Sequence, residues 1–399
     1  MLKDYKYRIY PDREQQVLIN KSIGCCRYIY NWALARRKNV YETEKRTLSV
    51  TELSRELTYL KKEPEYEWLN EVSSEILQQA IRNMDSAYNH FFKHGYGFPK
   101  FKSKHYSGKS FKNINGTGID FDKKRIKVLK IGKIKFALDR KFEGILKSIV
   151  ISQTPTNKYY ASVLVDDGKP LPEKAKIEEN STVGIDVGIK DFATLSSGTK
   201  ISNPKYYEND EKRIKVLHRR VSRKQKGSNR RMMAVFMLAK RYEKIANKRK
   251  DFLHKAVKMI VSENQTVVIE DLNVEGMLQN HNLAKSIQSV SWSEFFRILN
   301  YKCEWHGKNL IRIGRFEPSS KLCTCGFKHD GLKLSDRQWQ CPACGTVHDR
   351  DILAANNIKR FGLQKLNLKT PAIGGKGDVE FPALVGAKKR QNMNLRIVA

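Results

Sequence analysis

Residues 183–192, with the sequence VGIDVGIKDF, constrain the fold more than any other part of the chain. Their apolar side chains alternate with glycine and aspartate, which predicts a β-strand with the apolar residues on one face and Asp186 on the other. Gly184 and Gly188 flank Asp186 on its face, so a bulky ligand such as a metal-bound phosphodiester would have room to approach the carboxylate. Taken alone, the segment is better explained as a buried strand with one solvated aspartate. Other parts of the sequence are needed to show whether Asp186 has a function.

Positive charge is spread along the whole chain. The 399 residues include 76 Lys and Arg against 42 Asp and Glu, a formal net charge of +34. This excess predicts a polyanionic partner, nucleic acid before an anionic membrane surface. No apolar run reaches the roughly 20 residues of a spanning helix, and the N-terminus has no apolar signal region. We therefore expect a protein without a membrane partner in a reducing cytoplasm, where clustered cysteines bind metal rather than form disulfides.

The first part of the chain combines short basic strands with a helical segment. Strands in which every second residue is basic occur on both sides of the helices. We expect residues 1–10 and 95–167 to form a small β-barrel, into which residues 11–94 are inserted as a helical lobe. The third helix of this lobe has one apolar stripe, and Gln78 and Arg82 lie off it. These two residues either contact a nucleic-acid duplex or belong to a solvated face.

Two further acidic residues lie where they can converge with Asp186. Glu270 is in the last part of a buried strand, and Asp351 begins a helix on the same face as packed apolar residues. Three carboxylates in one place repel one another unless cations hold them. Two Mg²⁺ or Mn²⁺ ions between such carboxylates support in-line cleavage of a phosphodiester. We therefore expect all three residues to be catalytic and to bind Mg²⁺.

Four cysteines late in the chain have the spacing of a zinc ribbon: Cys323, Cys325, Cys341 and Cys344. The second pair has the two intervening residues of a zinc knuckle, whereas the first pair has only one, which distorts that turn. His329 is an alternative ligand in place of one thiolate of the first pair, and four free thiols are the remaining explanation. We expect structural Zn²⁺, because four protein ligands leave no open position for chemistry.

A dense basic run occurs in the long helical region after the strand of Asp186. Such runs are often only solvated faces. Here the density of charge and a glycine-containing loop at residues 226–229, which exposes backbone amides, favour phosphate contact. The residues concerned are Arg219, Arg220, Arg223, Lys224 and Lys226.

Taken together, these segments resemble the TnpB family of transposon-encoded, RNA-guided DNA endonucleases, which are related to type V CRISPR effectors. The resemblance covers nearly the whole chain. Its most specific pieces are GIDVGIK at 184–190, VIEDL at 268–272, PSSK at 318–321 and HDRD at 348–351. The segments SRKQKGS at 222–228 and KRKDFLHK at 248–255 are also similar, and the second adds Lys248 and Arg249 to the expected nucleic-acid contacts.

The resemblance implies an α/β multidomain protein with an RNase H-like (RuvC) nuclease domain that carries a zinc-ribbon insertion. The small β-barrel is then a wedge-like domain with an inserted helical recognition lobe, in which Gln78 matches a family glutamine. The boundaries that follow are a linker at 168–180, a nuclease domain at 181–317 and 346–365, a ribbon at 318–345 and a poorly ordered tail at 366–399.

The resemblance also implies a mechanism and partners. Asp186, Glu270 and Asp351 become the RuvC triad. The partners are a guide RNA derived from the transposon end and double-stranded target DNA with a short adjacent motif. We expect a monomeric protein with its RNA in a prokaryotic cytoplasm, associated with the nucleoid when bound to DNA. Two departures from the family are the shortened first cysteine pair and Leu353, where the family usually has asparagine.

Four hypotheses follow for the function. The first is Mg²⁺-dependent, RNA-guided cleavage of double-stranded DNA. The second is an RNA-guided DNA-binding protein with weak or no cleavage, in which the two departures have spoiled the geometry of the site. The third is an RNase H-like transposase that joins strands without RNA. The fourth, a plain zinc-ribbon DNA regulator, leaves the three acidic residues unexplained.

Overall fold

The computed structural model describes residues 1–104, 108–333 and 335–367 of the chain. The predicted tail at 366–399 lies outside the described residues from residue 368 onward. Within the described part, no helix combines the length and apolarity needed to cross a membrane.

The described chain divides into two compact units. Unit 1 comprises Met1–Pro170 and Lys226–Ala239, and unit 2 comprises Leu171–Gln225 and the described residues from 240 to 367.

Unit 1 contains a helical segment between the first two strands of its sheet. Its helices are α1 (Arg13–Glu44), α2 (Val50–Leu60), a 3-10 helix (Pro64–Glu71) and α3 (Ser74–His94). Reciprocal side-chain caps start α1 and α2. The backbone N–H of Gln15 donates to the Asp12 carboxylate at 2.8 Å, and Ser49 and Glu52 form the same box.

Seven antiparallel strands form the sheet of unit 1. They are β1 (Leu2–Tyr10), β2 (Lys109–Asn113), β3 (Gly118–Asp120), β4 (Arg125–Val128), β5 (Gly132–Phe136), β6 (Ile145–Gln153) and β7 (Tyr159–Asp166). Their order is β2-β6-β7-β1-β5-β4-β3, so β1 lies in the centre. The Asn113 side chain at the end of β2 accepts from the N–H of Leu129, just after β4, at 3.2 Å, so strands from opposite halves of the order meet at this point. Closure into the expected barrel stays a prediction, since the described residues show no pairing of β2 with β3.

Unit 2 is built on a five-stranded mixed sheet. Its strands are β8 (Thr182–Val187), β9 (Asp191–Leu195), β10 (Lys200–Ser202), β11 (Thr266–Glu270) and β12 (Asn309–Ile313), and a small hairpin adds β13 (Gln338–Gln340) and β14 (Val347–Asp349). The order is β10-β9-β8-β11-β12. Strands β8, β11 and β12 are parallel, whereas β9 and β10 run antiparallel to their neighbours.

Helices cover both faces of this sheet. The helices of this part of the chain are α4 (Tyr206–Ser222), α5 (Asn229–Glu263), α6 (Val274–Met277), α7 (His281–Val290), α8 (Trp292–Trp305) and α9 (Arg350–Asn367), and α5 begins in unit 1. On one face, α8 and the unit 2 part of α5 pack against Val183 and Ile269 in a single apolar cluster. On the other face, Ile358 of α9 packs against Val268 and Ile311.

The segment predicted as a linker is attached to unit 2 along its second half. The Asn309 side chain donates to the carbonyl of Ala175 at 2.7 Å, and the Ala175 N–H donates to the carbonyl of Gly307 at 2.8 Å. Ile177 packs into the apolar cluster beside β12 and α9. This stretch therefore extends the packed edge of unit 2.

Candidate active site and cysteine cluster

Strand register places two of the predicted acids side by side. In the parallel pairing of β8 with β11, Gly184 is the partner of Val268 and Ile185 the partner of Ile269. The next residues on the two strands are Asp186 and Glu270, which therefore lie next to each other on one face at the carboxyl ends of adjacent strands.

Helix α9 carries the third acid, Asp351, and packs directly on Gly184 of β8. A Cβ atom at Gly184 would lie 2.1 Å from the carbonyl oxygen of Ala355 and 2.6 Å from the amide nitrogen of Lys359. Only glycine permits this backbone contact. The expectation that Gly184 leaves room for a phosphodiester is therefore wrong, because α9 fills that space. Gly184 instead permits the close approach of α9, the helix whose first turn contains Asp351.

The N-terminus of α9 is fixed by its own cap. Asp349 accepts from the backbone N–H groups of Asp351 and Ile352, both at 3.1 Å, and from the Lys200 ammonium at 2.7 Å. Asp351, which is half-buried, pairs with the Arg337 guanidinium at 3.3 Å. This ion pair connects the residue before β13 to the third predicted acid.

The electrostatics of Asp186 show that the three acids share one neighbourhood. Removal from water, followed by the negative charges of Glu270 and Asp351, raises the pKa of Asp186 to about 8, although the cations of Arg350 and Arg337 oppose the shift. Burial also raises the pKa of Glu270, and a hydrogen bond from a serine hydroxyl opposes that shift. A site with this excess of carboxylates is suited to divalent cations with oxygen ligands.

Two residues that sequence reasoning missed hold the loop beside Glu270. The hydroxyl of Ser319 donates to Glu270 Oε1 at 2.6 Å. The buried Asn357 amide donates to the carbonyls of Ser319 and Leu322, both at 2.7 Å. Ser319 belongs to the PSSK segment, and Asn357 lies one turn after Leu353 on α9, but neither contact follows from sequence spacing alone.

The structure brings the four predicted cysteine ligands together. Their Sγ atoms all lie within 4.8 Å of one another, with Cys323 to Cys344 at 3.6 Å and Cys325 to Cys341 at 3.7 Å. Tetrahedral zinc with bonds of about 2.3 Å requires sulfur–sulfur distances of about 3.8 Å. The single-residue spacing of the first pair therefore does not prevent convergence, and the donor set fits Zn²⁺.

A histidine accompanies the four cysteines, but it is His348 and not His329, the alternative ligand named from the sequence. His348 Nε2 lies 3.0 Å from Cys323 Sγ, whereas the ring of His329 packs edge-on against Trp339. Pairing of β13 with β14 sets His348 opposite Trp339 and so aims its ring at the cysteines. Leu353 packs against Cys323 and Trp339, so this departure from the family pattern lies in the core of the ribbon.

The predicted nucleic-acid contacts fall into two groups. Those on the surface are Gln78, Arg82, Arg219, Arg220, Arg223, Lys224, Lys226 and Lys248. Arg249 differs, because it is half-buried and its guanidinium points to the carbonyls of Gln288 and Ser289, near the C-terminus of α7. A cation at that end of a helix stabilises the helix dipole.

Three family models match parts of the chain. They are described as a probable transposase (OrfB_IS605) at residues 161–281, a Cas12f1-like TNB domain at residues 292–358 and a helix-turn-helix domain at residues 1–46. The last region contains strand β1 and one uninterrupted helix, α1, rather than two helices with a turn.

Similar proteins occur in several organisms. The chain is 39% identical to a protein of Streptomyces pristinaespiralis named "Putative RNA-guided DNA endonuclease", and the match covers 90% of this chain and 89% of that protein. The chain belongs to the TnpB family. A second TnpB-family relative, from Escherichia coli K12 and named "Putative RNA-guided DNA endonuclease InsQ", is 28% identical over 90% of this chain and 92% of that protein.

A solved structure shows the fold of this TnpB-family protein. A Cas12f1 chain, determined by cryo-EM in a complex with sgRNA and target DNA, superimposes with a TM-score of 0.55 at 13% identity, over 90% of this chain and 98% of that chain. The chain thus has a Cas12-like fold that includes a Cas12f1-like TNB domain.

Proposed function

We propose that this TnpB-family protein is an RNA-guided DNA endonuclease that hydrolyses target DNA with two Mg²⁺ or Mn²⁺ ions. The observation that carries the proposal is the placement of Asp186 beside Glu270, close enough to Asp351 for the charge of that residue to act on Asp186. Metal bound there would activate water and stabilise the leaving 3′-oxygen. The five-stranded order of unit 2, with α9 delivering the third acid, supports assignment of residues 181–317 and 346–365 to a RuvC-like domain.

The chain's own residues prepare this site for cations. Ser319 orients Glu270 and stabilises its ionised form, because a hydrogen bond donated to a carboxylate oxygen lowers the pKa of that group. Arg337 supplies a positive charge to Asp351 from the ribbon. The cysteine cluster supports the site indirectly: when it holds zinc, it fixes the hairpin that carries Arg337, and four thiolates leave no position for water or substrate.

The guide and target would be bound by the exposed basic residues and by the helical lobe of unit 1. Arg219, Arg220 and Arg223 lie exposed at the end of α4 and in the loop that follows. A net charge of +34 supports a polyanionic partner. The named relatives support a guide RNA and a DNA target. A transposon-derived guide and a short motif beside the target, read in part by Gln78, complete the proposal.

The decisive test is guide-programmed cleavage. RNA that copurifies with the protein is sequenced, and its variable segment is matched to a double-stranded DNA target. We expect the wild type to cut this DNA in Mg²⁺, and the Asp186→Ala variant to leave it intact. An exposed acid of the same unit, Glu275, provides the control variant Glu275→Gln, which is expected to cut normally. Equal cutting by wild type and Asp186→Ala would refute the assignment of the site.

A further inference from the structure

One apolar side chain beside the acidic site has no packing explanation. Phe316 is 93% exposed, more than any other large apolar side chain that the structure describes. It lies in the turn that follows β12, and the neighbouring Glu317 is exposed as well. A single exposed apolar side chain is common on protein surfaces, so Phe316 indicates a ligand only if its position beside the acidic site does as well.

The turn that carries Phe316 is held in place on both sides. Just before it, the Arg315 guanidinium donates to the Asp271 carbonyl at 3.2 Å and to the Asp271 carboxylate at 3.1 Å. Just after it, Ser319 donates to Glu270 at 2.6 Å. The anchoring residues are Glu270, the last residue of β11, and Asp271, which follows it, so the turn that carries Phe316 lies beside Glu270.

The far side of the same loop is anchored too. Asn357, itself 2% exposed, binds the carbonyls of Ser319 and Leu322. A loop with contacts at three points presents its ring in a defined position. These anchors hold the backbone of the loop, so Phe316 stays on the surface beside the acids, where its exposed ring suits a planar ligand.

Building on the proposed function, we propose that Phe316 stacks on a nucleobase of the DNA strand that is cut at the Asp186–Glu270 site, and so positions the scissile phosphate. A base next to a phosphate held at the acids would reach this turn. An aromatic ring accepts any base, because every base has a π-face. The Glu317 carboxylate beside the ring disfavours a phosphate at that place and leaves the base as the partner.

The test observes stacking directly and without cleavage. The Asp186→Asn protein, with the RNA that copurifies with it, is mixed with matched DNA in which 2-aminopurine replaces successive bases of the cut strand. We expect the fluorescence at one or two positions to be quenched in the protein that retains Phe316 and in the Phe316→Trp variant. In the Phe316→Ala variant the fluorescence should recover. Phe316→Leu, which is apolar but does not stack, should also recover. Leu283→Ala, at another exposed apolar residue of unit 2, serves as the control.

Cleavage gives a second readout in the otherwise unchanged protein. Phe316→Ala is expected to slow cutting about 5- to 100-fold, the range that loss of one base–aromatic stack produces, and to spread the cut over neighbouring positions. Phe316→Trp should restore both. Unchanged fluorescence in Phe316→Ala would overturn the stacking proposal even if the protein cuts DNA. If no protein cuts but the quenching depends on Phe316, the stacking stands and the proposed function fails.

Discussion

Replacing Asp186 with asparagine is expected to stabilise the metal-free protein at neutral pH. In the folded protein the pKa of Asp186 is about 8, against an ordinary value of 3.8. At a pH between these two pKa values, Asp186 keeps its proton in the folded protein and has released it in the unfolded chain. The free energy of unfolding therefore falls as the pH rises from about 4 to 8. Each pH unit corresponds to about 1.4 kcal/mol, which gives an upper limit of about 4 kcal/mol at pH 7. Asparagine does not titrate in this range, so the Asp186→Asn protein does not lose this stability as the pH rises.

The signature of this effect is its dependence on pH. In EDTA, we expect Asp186→Asn to raise the stability of the unit by about 1 kcal/mol at pH 5 and by roughly 2 to 4 kcal/mol at pH 7. For a domain of this size, the latter corresponds to a melting temperature higher by roughly 4 to 16 °C. Thermal unfolding followed by circular dichroism at pH 5, 6, 7 and 8 measures it. Glu275→Gln, at an exposed carboxylate, should change stability by less than about 0.5 kcal/mol at every pH.

Two results would contradict this reasoning. One is an effect of Asp186→Asn that stays the same from pH 5 to pH 8, which would mean that the wild-type carboxylate does not titrate in the folded protein. The other is a loss of stability in EDTA at pH 8. A titration with Mg²⁺ then separates stability from function, because metal should stabilise the wild type and have little effect on Asp186→Asn.

Three further predictions concern packing and zinc. Gly184→Ala should lower the free energy of unfolding by more than about 4 kcal/mol, or prevent folding of unit 2, because the added Cβ would overlap the backbone of α9. The control is Gly24→Ala, where a Cβ meets open space. In thermal unfolding it should be neutral or stabilising by up to about 1 kcal/mol. Metal analysis should find one zinc per chain, lost in Cys344→Ser and kept in Cys303→Ser, a core cysteine. His348→Ala should weaken zinc binding about 10- to 100-fold in a chelator competition, since its ring contacts the Cys323 sulfur; undiminished affinity would show that this contact does not support the metal.

Local signals made much of the fold predictable from sequence. Alternation predicted the strand of Asp186, which the structure shows as β8. The spacing of the cysteines predicted their cluster correctly. Asp351 was predicted to face the sheet because Ile358 lies on the same side of its helix, and Ile358 is indeed buried against Val268.

Contacts between distant segments could not be predicted in the same way. The packing of α9 on Gly184 depends on how a helix near the end of the chain meets a strand from its middle, and a glycine-flanked aspartate is equally compatible with an open ligand pocket. That His348 and not His329 lies beside the cysteines depends on the pairing of β13 with β14, which brings together residues from distant parts of the segment. Arg337 lies in a polar stretch without a motif of its own.

The central place of β1 has a consequence for synthesis of the protein. Residues Leu2 to Ile9 pair with β7, whereas only Ile9 and Tyr10 pair with the earlier strand β5, so the ribosome must translate beyond β7 before most of β1 finds its partner. Helices α1–α3 make mostly local contacts and can form earlier, while β1 waits with unpaired backbone groups. A polypeptide released before β7 would carry that bare edge into the cell and tend to aggregate.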